Sequence, residues 1–74
     1  MVGSVKNFVI VYDPDQGQLV DMRSFDDAGD ALARRFAAEL VQPAGYEIVV
    51  LRGRSEADIR RSHPRYFAAV PPHS

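Results

Sequence analysis

The chain has 74 residues, a formal net charge of −1 and no cysteine. A chain of this length forms one domain and buries only about 60% of its unfolded surface, so it is marginally stable as a monomer. The absence of cysteine excludes disulfides, thiolate metal sites and thiol nucleophiles, and we expect self-association to supply the missing stability. The near-neutral charge gives no overall field that would attract nucleic acid or an acidic membrane.

Charge is nevertheless distributed unevenly along the chain. Acidic residues outnumber basic ones by four in residues 1–51, whereas basic residues outnumber acidic ones by three in residues 52–74. No apolar segment is long enough to cross a membrane or to serve as a secretion signal. The sequence therefore predicts a cytoplasmic protein with no membrane partner and with a basic C-terminal third.

Two strands are predicted at the start of the chain. Residues 8–12 form a continuous apolar run rich in β-branched and aromatic side chains, which is typical of a strand covered on both faces. Residues 13–17 follow with Asp, Pro and Gly in the order of a hairpin turn. Residues 19–23 alternate between apolar and charged side chains, which favours an edge strand with one face in water.

A long helix is predicted next. Ser24 is expected to be its N-cap, with Asp27 reaching back, and a following proline and glycine should end it near Val41. Arg34 is expected to pair with Asp30 on the solvent side. The spacing predicts a single apolar stripe facing the core, made by Phe25, Ala28, Leu32, Phe36 and Leu40.

The remaining elements are a third strand and a short second helix. Residues 46–51 are apolar on both faces, and Ser55 opens a capping pattern that predicts a helix ending near Ser62. Tyr66 and Phe67 are expected to pack back on the domain, which should span residues 1–67. Residues 68–74 contain two prolines and are expected to be a frayed tail.

These elements predict an α+β fold, a β-β-α-β-α two-layer sandwich. The sheet should be three-stranded and mainly antiparallel in the order 2-1-3, with the long helix on one face and a short C-terminal helix. The first and third strands carry more apolar side chains than one helix can cover. We therefore expect a homodimer through an uncovered sheet face, with the second helix folding over that face as the alternative. The predicted interface residues are Val9, Val11, Val49 and Leu51.

The C-terminal third carries the strongest candidate binding cluster. Guanidinium groups bind phosphates, and the neighbouring Tyr66 and Phe67 could stack on bases. A nucleic-acid-binding module is therefore the alternative function, whereas a solvated flank that pairs with the acidic helix start is the simpler interpretation. The candidate anion contacts are Arg52, Arg54, Arg60, Arg61 and Arg65.

Catalytic and metal-binding motifs are not recognisable in this sequence. Residues 13–24 match a calcium loop poorly, because position five is Gly17 and position twelve is Ser24. His63 has no neighbouring acid or second histidine, and it is expected to interact with the end of the second helix. An enzyme would require His63 to meet carboxylates from the acidic half in a shared cleft. We expect a non-enzymatic interaction or regulatory domain without cofactor or metal, which could also bind another protein.

Overall fold

A computed structural model describes residues 5–42 and 44–67, which form a three-stranded sheet with helices. In chain order the elements are β1 (Lys6–Asp13), β2 (Gln18–Phe25), α1 (Ala28–Val41), β3 (Glu47–Gly53), α2 (Glu56–Ser62) and a 3₁₀ turn (Pro64–Tyr66). The predicted α+β class is confirmed. The expected tail of residues 68–74 lies outside the described residues.

The sheet has the order β2-β1-β3, and both outer strands run antiparallel to β1. The predicted 2-1-3 order is therefore confirmed. The most apolar strand takes the central position, and residues 8–12 of β1 are all buried. Ile10 lies between Met22 of β2 and Val49 of β3. Antiparallel partners share a face, so this register decides which side chains meet on each side of the sheet.

The turn between β1 and β2 forms as the sequence predicts. The Asp13 carboxylate accepts hydrogen bonds from the backbone N–H groups of Asp15 and Gln16, at 3.0 and 3.3 Å. Gly17 has a φ of 63°, a conformation that glycine adopts without a Cβ clash. Local turn chemistry therefore fixes the start of β2 and the hairpin register.

One sheet face carries the main hydrophobic core. The even-numbered side chains of β1 point to this face, where Ile59 of α2 and Tyr66 of the 3₁₀ turn pack on them. The rings of Tyr12 and Tyr66 meet edge to face, with centroids 5.1 Å apart. The alternative in which the C-terminal elements cover a sheet face within the chain is therefore what the structure shows. The cluster consists of Phe8, Ile10, Tyr12, Ile59 and Tyr66.

The start of α2 follows the predicted capping pattern. The Ser55 hydroxyl accepts a hydrogen bond from the Asp58 N–H at 3.1 Å, and the helix ends at Ser62. Gly53 lies close beneath Ile59, and a Cβ added at Gly53 would meet Ile59 Cδ1 at 2.7 Å. Because Ile59 is fully buried, it has little room to yield, and this contact sets how closely α2 approaches β3.

Helix α1 covers the opposite face of the sheet, but it differs from prediction at its start. Strand β2 continues to Phe25, which pairs with Asn7 of β1. The N-cap is Asp27 rather than Ser24, and its side chain accepts the Asp30 N–H at 3.1 Å. Phe25 therefore belongs to the sheet, because strand pairing continues through the residue at which the helix was expected to begin.

The predicted buried stripe of α1 is also wrong. Ala31 and Ala38, seven residues apart, are the buried side chains of the helix. Arg34 lies between them and donates to the Asp21 carboxylate of β2 at 2.9 Å, instead of pairing with Asp30. Small alanines let the helix approach the sheet closely, and the ion pair fixes its rotation. The large apolar residues of α1 consequently turn away from the sheet.

The principal extents of the molecule are 44 × 29 × 11 Å. Helix α2 lies on the core face of the sheet, and α1 lies on the opposite face. Neither helix is long and apolar enough to span a bilayer among the residues searched.

Candidate interaction surfaces

The outer side of α1 is an exposed apolar stripe. We define the α1 stripe as Leu32, Phe36 and Leu40, which are spaced four residues apart and therefore lie in one row along the helix. Their relative exposures are 46%, 62% and 86%. At 100° per residue, Gly29, Ala33 and Ala37 form a parallel row of small residues beside it. Monomeric proteins rarely expose a contiguous apolar surface without a binding role.

The flanks of α1 carry charges of both signs. Arg34 marks the side of the helix that faces β2, because it is bound to Asp21 there. Arg35 and Glu39 lie on the other side of the buried alanines, so they face the β3 side. These two residues form an i,i+4 ion pair at 3.2 Å. The β3 side of α1 is therefore balanced in charge and does not repel a second copy of itself.

The outer edge of β3 is the second candidate surface. Residues 48–51 are apolar and half-buried, and Arg52 is the only exposed residue of the strand. A strand that is apolar on both faces is typical of a central position in a sheet. β3 nevertheless lies at the edge, and among residues 5–42 and 44–67 only β1 pairs with it. The edge offers main-chain donors and acceptors to another strand.

The four predicted interface residues do not share one surface. Val9 and Val11 lie on the α1 side of the sheet and are 1% and 0% exposed. Val49 and Leu51 pair with Ile10 and Phe8, so they pack with the core on the other side. The prediction that they share one sheet face is therefore wrong, because the cross-strand register places the two pairs on opposite faces. Both faces are covered by elements of the same chain.

Arg65, one of the predicted anion contacts, binds a carboxylate and two aromatic rings of its own chain. Its guanidinium donates two hydrogen bonds to the Glu47 carboxylate, at 2.9 and 3.0 Å. It also lies over the rings of Tyr12 and Tyr66, 5.2 and 4.8 Å from their centroids. The hydrogen bond from Arg65 lowers the pKa of Glu47 below its usual value, and the same bond raises the pKa of Arg65. The pair ties the 3₁₀ turn to β3.

The other arginines are divided between structural contacts and open surface. Arg60 bonds Glu56 through two nitrogens and lies 4.7 Å from the centroid of Phe67. Within the part of the chain that the structure describes, no ion pair includes Arg52, Arg54 or Arg61. These three arginines belong to β3, the following loop and α2. They are the candidate anion contacts that remain for the alternative nucleic-acid function.

His63 joins α2 to the 3₁₀ turn through its backbone. Its N–H donates to the Ile59 carbonyl at 2.8 Å, and its carbonyl accepts the Tyr66 N–H at 3.3 Å. In the described ranges, no group of three His, Cys, Asp or Glu side chains is arranged to hold a metal ion. Asp13, the first residue of the poor calcium-loop match, uses its carboxylate to hold the turn.

Sequence reasoning missed the α1 stripe as a surface because α1 has two apolar sides. Ala31 and Ala38 offer a narrow apolar row, and the stripe offers a wider one of large side chains. Hydrophobicity favours burying the larger row. The available signal was Arg34 beside the row of the two alanines, with the acidic Asp21 on the edge strand to pair with it.

Comparisons with known proteins found no matching protein family, curated protein or solved structure. The two surfaces are therefore interpreted from their own chemistry.

Proposed function

We propose that this chain is a non-enzymatic protein-interaction domain that works as a homodimer, with a second copy packed against α1. The observation that carries this proposal is the exposure of Phe36 and Leu40, at 62% and 86%, in a helix that already has a separate buried side. A lone exposed apolar residue is ordinary on a protein surface, whereas a row of three along one helix is typical of an interface. We expect the dimer to act in the cytoplasm, where a fold without disulfides is normal.

The energy available from the α1 stripe is of the right order for association. Fully burying one such side chain contributes about 1.5–3 kcal/mol. The exposed fractions of Leu32, Phe36 and Leu40 together equal nearly two whole side chains, so the stripe offers about 3–6 kcal/mol per copy and twice that for a twofold pair. Association itself costs about 4–15 kcal/mol. The stripe therefore supports a weak dimer, and a tighter one requires a further contact.

A second copy suits this surface better than an unrelated partner. The row of large side chains lies beside the row of small ones, so each helix carries both a ridge and a groove that another copy can fill. Arg35 and Glu39 balance the charge at the flank. A domain of 74 residues also gains stability from burial that its own core cannot supply.

A tagged-copy experiment tests the proposal. A chain with an affinity tag is mixed with an untagged copy, and the retained untagged copy is measured. We expect retention by the wild type and loss of retention when both copies carry Phe36→Glu, because the twofold contact would bury two carboxylates. Val20→Glu is the matched control, since Val20 is 46% exposed on the far edge strand. Equal retention by both variants, or none by the wild type, contradicts the proposal.

A further inference from the structure

We propose, on the premise that the chain dimerises, that the second copy joins at the outer edge of β3. The two β3 strands would pair antiparallel about a twofold axis and form one six-stranded sheet. The main-chain donors and acceptors on the outer edge of β3 would then hydrogen-bond to β3 of the second copy. It also explains why a strand with a central-strand pattern lies at the edge of the sheet.

The contrast between the two sheet edges selects β3. The register between β1 and β2 shifts between Val11 and Tyr12 of β1, so Val20 of β2 has no partner in β1. β2 also carries Asp21 and Arg23 along its length. Bulges and charges are the devices by which proteins block pairing at an edge. β3 has a continuous register with β1, no proline, and an uninterrupted apolar segment over residues 48–51. The fold therefore blocks one edge and leaves the other available.

Pairing at β3 would bring the two α1 helices into contact. Helix α1 contacts all three strands, β2 least, so its axis lies close to the central strand β1. With strands about 4.8 Å apart, β1 is about 7 Å from a twofold axis placed beyond β3. The two helix axes would then be about 14 Å apart, which is wider than the spacing of directly packed helices and leaves room for large side chains between them. The Leu32 and Phe36 side chains, on the β3 and outer sides of α1, would meet their counterparts there.

Charge at the helix contact also favours a second copy. The twofold axis reverses the direction of the partner helix, so that Arg35 of one copy approaches Glu39 of the other. The two residues already pair within one chain at 3.2 Å, and in a dimer they can exchange partners without leaving a charge unpaired. No like charges are forced together on this side of the helix.

The area at this edge corresponds to the lower end of the range for specific interfaces. Strand β3 has seven residues, which span about 23 Å at about 3.3 Å each. With α1 on one face and α2 on the other, the edge is about 20 Å deep. That gives about 460 Å² of flat area per copy and about 900 Å² for the pair, and accessible area exceeds flat area. The contact therefore reaches the ~1,000 Å² that specific interfaces require.

Amide hydrogen exchange at several protein concentrations tests this arrangement. Backbone N–H groups on the outer edge of β3 should be unprotected in the monomer and protected in the dimer. From a tenth of the dissociation constant to a hundred times that value, the monomer fraction falls from about 85% to about 7%, so their exchange should slow about tenfold. The outer N–H groups of β2 are the internal control and should not change.

The outcomes separate this inference from the proposed function. If the mass doubles with concentration while exchange on the outer edge of β3 stays fast, the copies meet elsewhere and the β3 arrangement is wrong, although the dimer stands. If the mass remains that of one chain, the proposed function fails as well. As a second measurement, mixed labelled and unlabelled chains should give nuclear Overhauser contacts between β3 residues of different copies, and contacts confined to α1 would overturn the inference.

Discussion

Replacing Phe36 with alanine measures how much the α1 stripe contributes to dimerisation. Phe36 is 62% exposed in the single chain, so the substitution removes little from the folded core. Burying a phenylalanine fully contributes about 1.5–3 kcal/mol, and the exposed share is therefore about 1–2 kcal/mol in each copy. In a twofold dimer the loss occurs twice, so we expect the free energy of dimerisation to weaken by about 2–4 kcal/mol. This raises the dissociation constant about 30-fold to 800-fold.

Sedimentation equilibrium gives the dissociation constants of the wild type and the Phe36→Ala variant. Val20→Ala serves as the control, because Val20 is a partly exposed apolar residue on the edge opposite β3. Its dissociation constant should equal that of the wild type within about threefold, as expected for a residue outside the contact. If Phe36→Ala dimerises as tightly as Val20→Ala while both unfold at the same temperature as the wild type, the α1 stripe does not contribute to the dimer contact.

Three further predictions concern the folded chain itself. Ile59→Ala should lower the free energy of unfolding by about 2–5 kcal/mol because it empties a fully buried site; denaturant melts check this, and a loss under 1 kcal/mol would mean that α2 does not cover the core. Ser55→Ala should cost about 1 kcal/mol through the lost N-cap bond to Asp58, and an unchanged midpoint in the same melts would contradict the capping role. Glu47→Gln should destabilise the chain at pH 7, and its difference in stability from the wild type should disappear on acidification. The folded-state pKa of Glu47 lies below the usual 4.5. The stabilising contribution of the Glu47 carboxylate is therefore complete above pH 4.5 and is lost as the pH falls through the folded-state pKa. Thermal melts across that range check the sign, and a difference that persists at the acid end would rule out the Arg65 pair as the cause.

The fold could be predicted because its signals are local and agree with one another. The run at residues 8–12 specified a central strand, the Asp13 turn specified the hairpin, and Ser55 specified the start of α2. The order of the sheet followed from placing the most apolar strand in the middle. These features depend on neighbouring residues in the chain, which a sequence displays directly.

The surfaces could not be predicted, because they depend on contacts between distant elements. The rotation of α1 depends on Arg34 reaching Asp21 across 13 positions of the chain. The face to which each strand residue points depends on the register between β1 and β3, in which Val11 pairs with Ile48 rather than with Val49. A shift of one residue reverses every side chain of a strand. The prediction that Val9, Val11, Val49 and Leu51 share one sheet face was therefore wrong, although each strand was correctly located.

The solution mass of the wild-type chain, measured by light scattering from low micromolar to several hundred micromolar, decides whether two copies associate. The mass should rise with concentration from 8.2 kDa toward twice that value, because two copies bury the α1 stripe and the β3 edge between them. A mass that stays at 8.2 kDa throughout the range, from a chain whose circular dichroism shows it to be folded, would show that the chain does not dimerise.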